Sequence, residues 1–221
     1  MAARVWSIVV AGGSGERFGR LKQFALLDGR PVAEWAVQAC RPFSAGVVLV
    51  VPSGNEVEYG ADVRVEGGAT RSESVRRGLA AVPPEADIIL VHDAARPLAT
   101  SALFHAVLDA LSEDGVDAVI PGVPVSDTIK KVNDMRNVRE TLDRRELVAV
   151  QTPQAFGADL LRRAHASCAE ATDDAALVEA LGVPVRVVPG EVGNVKITTP
   201  DDLAAAERLL GLLGLLGRDG P

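Results

Sequence analysis

Residues 5–22, Val-Trp-Ser-Ile-Val-Val-Ala-Gly-Gly-Ser-Gly-Glu-Arg-Phe-Gly-Arg-Leu-Lys, constrain the fold more than any other stretch. An apolar run rich in Val and Ile ends abruptly in a glycine-rich loop. Such runs suit a strand buried on both faces of a parallel sheet. Gly12, Gly13, Gly15 and Gly19 let backbone N–H groups turn toward a bound anion at close range. Arg17 and Lys22 add positive charge, and the combination suits a nucleoside triphosphate. The bland alternative is a glycine turn that binds nothing.

Two familiar phosphate loops do not fit. A Walker loop closes its glycine run with Gly-Lys-Ser/Thr, whereas Gly19 is followed by Arg20-Leu21-Lys22-Gln23. The dinucleotide fingerprint needs a third glycine three residues after the second and an acid about 20 positions on. Phe18 stands at the first place, and the next strand ends in Val50-Val51-Pro52 with no acid. Hydride transfer is therefore disfavoured.

Strand-like and helix-like segments alternate along the rest of the chain. That pattern predicts an α/β fold, a Rossmann-like open and mostly parallel sheet with helices on both faces. Strands are expected at 5–11, 46–51, 63–66, 87–91, 116–120, 147–151 and 183–188, with a short extended piece at 195–198. Helices are expected at 32–40, 70–81, 100–111 and 158–169, with a further one starting at Asp173-Asp174 and a last one from Thr199-Pro200. Thr70 is a cap with Glu73 in the capping-box position, and Thr172 and Thr199 are further caps. Thr152-Pro153-Gln154 reads as a break. One domain over 1–221 suits this length.

Between about 122 and 143 the character changes. Val125 to Val132 alternates in the β manner, Asn133-Asp134 signals a turn, and 137–141 runs back. The hairpin either projects as an arm, which favours a homodimer exchanging arms, or lies on its own domain. The sequence leaves these even.

The formal net charge of -7 argues against nucleic-acid and membrane-surface partners. A small cationic pocket is still compatible with it. Cys40 and Cys168 lack metal-ligand spacing and read as buried thiols. No apolar span or leader pattern is visible, so a soluble cytoplasmic protein is the expectation.

Ligands of open parallel sheets bind beyond the carboxyl ends of the strands. The distinctive polar residues gather there: Arg17 and Lys22, then 67–74, then His92-Asp-Ala-Ala-Arg96. Thr128, Lys130 and Arg144 accompany the hairpin, and Lys196 lies near the end. Arg17, Lys22, Arg96, Arg144 and Lys196 make a cationic pocket suited to two phosphorylated partners. His92 reads as satisfying backbone groups rather than acting as a base.

The chain resembles the 2-C-methyl-D-erythritol 4-phosphate cytidylyltransferase family. The motifs that carry the resemblance are Ala11-Gly-Gly-Ser-Gly-Glu-Arg17 with Lys22-Gln23, Gly67-Gly68 with Arg71 and Ser74-Val75, and His92-Asp-Ala-Ala-Arg-Pro97. Val125-Ser-Asp-Thr-Ile-Lys130, Leu142-Asp-Arg144, Gln151-Thr-Pro-Gln-Ala-Phe156, Thr172-Asp-Asp174 and Asn194-Val-Lys196 extend it to the last helix.

The resemblance implies transfer of CMP from CTP to a sugar-alcohol phosphate, with Mg²⁺ and release of pyrophosphate. It implies that Arg17 and Lys22 stabilise the transition state. Arg144 and Lys196 would hold the sugar phosphate, Arg144 in the partner subunit's site, and Asp93, Arg96 and Thr128 would contact the substrate. Ala11, Gly12, Gly13, Ser14, Gly15, Gly68, Ser74 and Ala94 would hold the nucleotide. No protein metal ligands are assigned. Four departures stand out: a short Arg17–Lys22 gap, Val10 where a proline is common, Gly12 where alanine is usual, and Ala69 where an acid is common. Rival readings are a ribitol 5-phosphate cytidylyltransferase and a non-catalytic nucleotide-binding protein.

Overall fold

A computed structural model describes residues 3–13, 18 and 21–216. Its strands are β1 (Val5–Val10), β2 (Leu26–Leu27), β3 (Arg30–Pro31), β4 (Gly46–Val51), β5 (Val63–Glu66), β6 (Ile88–Asp93), β7 (Ala118–Pro124), β8 (Lys130–Val132), β9 (Val138–Thr141), β10 (Val148–Val150), β11 (Gln154–Gly157) and β12 (Arg186–Pro189). The helices are α1 (Val32–Cys40), α2 (Arg71–Ala81), α3 (Ser101–Leu111), α4 (Ala158–Ala166), α5 (Asp174–Glu179) and α6 (Pro200–Leu216).

Eight strands form one sheet in the order β10-β7-β11-β6-β1-β4-β5, with β12 beside β7. β1 runs parallel to both β4 and β6, and β4 parallel to β5. The chain leaves β1 for β4 on one side and later returns to β6 on the other. β1 therefore stands at the switch point where open α/β sheets place their ligands. The pairs β11/β6, β11/β7 and β10/β7 are antiparallel, so the sheet is mixed.

Alternating side chains of the central strands feed two cores. Val9 and Leu49 pack with Ala33, Val37, Phe104 and Val107 of α1 and α3. Ile8, Val48 and Val50 pack with Val75, Leu79, Leu161 and Val178 of α2, α4 and α5. Burial on both faces explains why β1 and β4 read as unbroken apolar runs. A third cluster joins Leu27, Val32, Ile197 and Ala206, seating α6 against the base of the first loop.

Several details differ from the sequence reading. β11 follows Pro153 where a break is expected: four residues give no period, and its burial comes from β6 and β7 on either side. α5 is capped by Asp173, which accepts from the Ala176 N–H at 3.1 Å, so Thr172 is not the cap. α2 is capped by Thr70 as expected, but Glu73 accepts from the Ala69 N–H rather than that of Thr70. Residues 195–198 join no strand. Cys168 lies just past α4 and is exposed, because that helix stops at Ala166 and the outgoing residue turns into a positive φ of 53°. Cys40 is buried, and burial pushes its thiol up to about 12.

The hairpin β8/β9 forms its own two-stranded sheet with both strands exposed. Met135 at its tip is 77% exposed. The arm therefore projects, and it starts beyond β7, which keeps residues 122–124 in the main sheet. Among the described residues, no helix is long and apolar enough to cross a membrane.

Candidate active site

A cleft of about 850 Å³ opens over the carboxyl ends of β1, β4 and β6. Its floor is backbone. The Ala11 N–H donates to Val50 O and the Ala94 N–H to Val10 O, which joins the three strand ends. A Cβ on Gly67 would come within 2.9 Å of Ser74 Oγ and 3.3 Å of Gly12 Cα, so the first and third loops touch without side chains between them. The Gly68 N–H donates to Ser74 Oγ, which donates onward to Thr70 O. This fixes the loop entering α2.

Lys22 and Gln23 open a short 3-10 turn (Lys22–Phe24) and both line the cleft. Gln23 is buried, and its amide donates to Gly13 O at 3.0 Å. The bond ties the exit of the first loop to its entry.

The cleft also holds a cluster of charges. Asp93 ends β6 with one oxygen 2.6 Å from Lys196 Nζ and the other 3.4 Å from Arg71 Nε. Arg71 Nη2 is 2.8 Å from the buried carboxylate of Asp174, which also meets His165 Nε2 at 3.0 Å. Burial opposes ionisation of Asp93, but Arg71, Lys196 and Arg96 outweigh it and hold the carboxyl well below the usual range. Burial likewise disfavours the charge on Arg71, and Asp174 and Asp93 overcome it. Lys196 is held beside β6 by the Ile197 N–H bond to Ala95 O. Asp202 reinforces it by accepting from the N–H groups of Thr198 and Thr199.

Of the residues singled out in the sequence, Ala11, Gly12, Gly13, Lys22, Gly68, Ser74, Asp93, Ala94 and Lys196 line this cleft. Ser14, Gly15 and Arg17 lie outside the described residues. Arg96 points elsewhere: its guanidinium donates to Asn194 O at 2.7 Å and Val150 O at 3.1 Å, bracing the loop before Lys196. Thr128 and Arg144 are exposed at the root of the arm and do not line the cleft, and Arg144 donates to Ser126 O. Arg71 carries no assigned task in its motif, and Asp174 reads from the sequence as a helix start. Their link to Asp93 spans three elements, and no local pattern encodes it.

His92 is fully buried between Thr152 Oγ1 and Arg96 O. Burial pushes its pKa down to about 4, against the pull of Asp93. It is a neutral brace, as expected. The unfolded chain takes up a proton near pH 6.5 that the folded chain refuses until about pH 4. Stability from this group is complete above pH 6.5 and is lost as the pH falls toward 4, by about 3 kcal/mol in all. Thermal melts between pH 7 and 4.5 should show a falling Tm, with a shallower slope in His92→Gln. Identical slopes in the two proteins would contradict the assignment.

Fold and cleft together define an α/β protein with a candidate ligand site at the switch point of the sheet. The family model for IspD, 2-C-methyl-D-erythritol 4-phosphate cytidylyltransferase, matches residues 5–211, and the chain belongs to that family. It is 44% identical to the bifunctional enzyme IspD/IspF of Anaeromyxobacter dehalogenans over 94% of this chain and 57% of that protein. The chain thus spans little more than half the length of such bifunctional relatives. It is 42% identical to the 2-C-methyl-D-erythritol 4-phosphate cytidylyltransferase of a Synechococcus strain, over 92% of this chain and 97% of that one. The crystal structure of the Thermus thermophilus protein of the same name superimposes with a TM-score of 0.79 at 39% identity, covering 92% and 97% of the two chains.

Proposed function

We propose that this chain transfers CMP from CTP to 2-C-methyl-D-erythritol 4-phosphate. A phosphate oxygen of the sugar alcohol attacks the α-phosphorus of CTP. The bond from that phosphorus to the β-bridging oxygen breaks, and pyrophosphate leaves. The observation that carries the reading is Lys22 and Lys196 lining one glycine-floored cleft, with the ionised Asp93 between strand end and Lys196. Two phosphorylated reactants need that distribution of charge, and such chemistry is mainly positioning and electrostatic stabilisation.

Within this reading, Lys22 and Arg17 stabilise charge on the α-phosphate. The backbone of Ala11 to Gly15, Gly68, Ser74 and Ala94 holds the nucleotide. Lys196 takes the sugar phosphate with Asp93 beside it, Arg96 serves it by bracing the loop before Lys196, and Thr128, like Arg144, would reach only a second copy's cleft. Among the described residues, no three His, Cys, Asp or Glu side chains form a cation cage. A Mg²⁺ would be carried mostly by phosphate oxygens and water, and Asp93, an acid lining the cleft, is the residue that would hold it. The ion supplies neutralisation of phosphate charge.

We place the reaction in a homodimer. The arm exposes Val132, Met135 and Val138, and Arg144 at its root does not line its own cleft. A second copy receiving the arm would bury the first three and bring in Arg144. Light scattering should give twice the chain mass. Arg144→Ala should impair use of the sugar phosphate by about tenfold, the scale of one charge-assisted contact, with CTP binding retained. Loss of CTP binding would contradict that role. Pyrophosphate release with CTP and a panel of sugar-alcohol phosphates tests the reaction itself. A preference for ribitol 5-phosphate, or no release with any of them, would overturn it.

A further inference from the structure

Asp174 is fully buried, and a buried carboxylate is costly unless held by partners. It is not needed to cap α5, since Asp173 already accepts from the Ala176 N–H. Its partners lie outside its own helix: His165 of α4, hydrogen-bonded to Oδ1, and Arg71 of α2, an ion pair at 2.8 Å to Oδ2 without hydrogen-bond geometry. Arg71 divides its donors: Nη2 faces Asp174, Nε faces Asp93, and Nη1 is buried without a hydrogen-bond partner among the described residues. Asp93 in turn gives its second oxygen to Lys196, whose long side chain is otherwise 44% exposed in the cleft. Two anions and two cations alternate along Lys196–Asp93–Arg71–Asp174, and His165 closes the far end.

We propose that Asp174 is a positioning residue for the sugar-phosphate half of the cleft, acting through Arg71 and Asp93 on Lys196, with His165 orienting it. The proposal rests on the transfer reading for its substrate, but its geometry lies wholly within this chain. While Asp174 holds one edge of Arg71, only Nε turns toward Asp93, and one Asp93 oxygen is left to aim the ammonium of Lys196. Without the Asp174 charge, the guanidinium has a single anion to satisfy. It closes on both oxygens of Asp93, since a paired fork is its preferred geometry. Lys196 then loses its anchor and meets the phosphate from many rotamers.

Steady-state kinetics with each substrate varied in turn test this. Asp174→Asn should raise KM for the sugar phosphate about tenfold, the loss expected for one charge-assisted hydrogen bond, and KM for CTP less than about twofold. In an Asp93→Asn background the same substitution should add nothing, because the coupling runs through Asp93. His165→Leu should follow Asp174→Asn, whereas His165→Gln, which keeps a donor toward Asp174, should stay near the parent. A merely structural role would lower kcat through loss of folded protein and leave the KM values unsplit. That result, or additivity with Asp93→Asn, overturns the proposal.

Trace labelling with acetic anhydride gives a readout without substrate: acetylation of Lys196 should rise severalfold in Asp174→Asn or His165→Leu. Unchanged labelling in whichever of these folds also overturns it. If the parent releases no pyrophosphate, the transfer reading falls and the labelling still decides the relay.

Discussion

Lys22→Ala is expected to bind CTP nearly as the parent does and to lose a hundredfold or more in kcat. The reason is where the residue is held. Lys22 heads a short turn whose next side chain, Gln23, is buried and bonded to Gly13 O. The lysine therefore enters the cleft from a fixed base beside the glycine floor. A donor fixed before the reaction stabilises charge that grows only in the transition state, and removing one such donor costs on the order of 3 kcal/mol. Titration calorimetry for CTP and single-turnover rates separate the two effects. Parallel losses of affinity and rate would make Lys22 a binding residue only. Lys22→Arg should recover little, because a planar fork does not replace a compact ammonium.

Phe156→Ala should cost about 4 kcal/mol of folding stability, the range found for truncating a fully buried aromatic. In a chain of this size that lowers Tm by roughly 10 °C. Phe156 sits on β11, pairs in register with Ile89 of β6 and Ala118 of β7, and packs into the core shared with α2 and α4. Denaturant unfolding followed by circular dichroism measures the cost. A loss under about 1 kcal/mol would mean that β11 is not the packed internal strand described above. The variant also checks the cleft indirectly, since β6 carries Asp93 at its end.

The elements legible in the sequence are those with strong local signals. β1 and β4 are unbroken apolar runs because both faces are buried, and α2 and α3 begin at threonines that do cap them. β11 was not legible. It is short, follows a proline, and owes its strand character to the neighbours on either side. The same holds for the cap of α5: Thr172 and Asp173 both carry an oxygen able to accept from a helix N–H, and the local backbone selects Asp173.

For the site, the projection of the hairpin as an arm came from the structure, whereas the sequence by itself determined the glycine floor, the cations at strand ends and the existence of the hairpin. These follow from residue type and from the period of a parallel sheet, which are local properties. The tertiary structure alone decided who pairs with whom. It turned Arg96 away from Asp93 toward the carbonyls of Val150 and Asn194, and it brought Arg71, Asp174 and His165 into one chain of charges behind Lys196. Ion pairs between residues 22 and 103 positions apart depend on how helices seat on the sheet. No spacing along the chain specifies that seating; the packing of α2, α4 and α5 into a common core does.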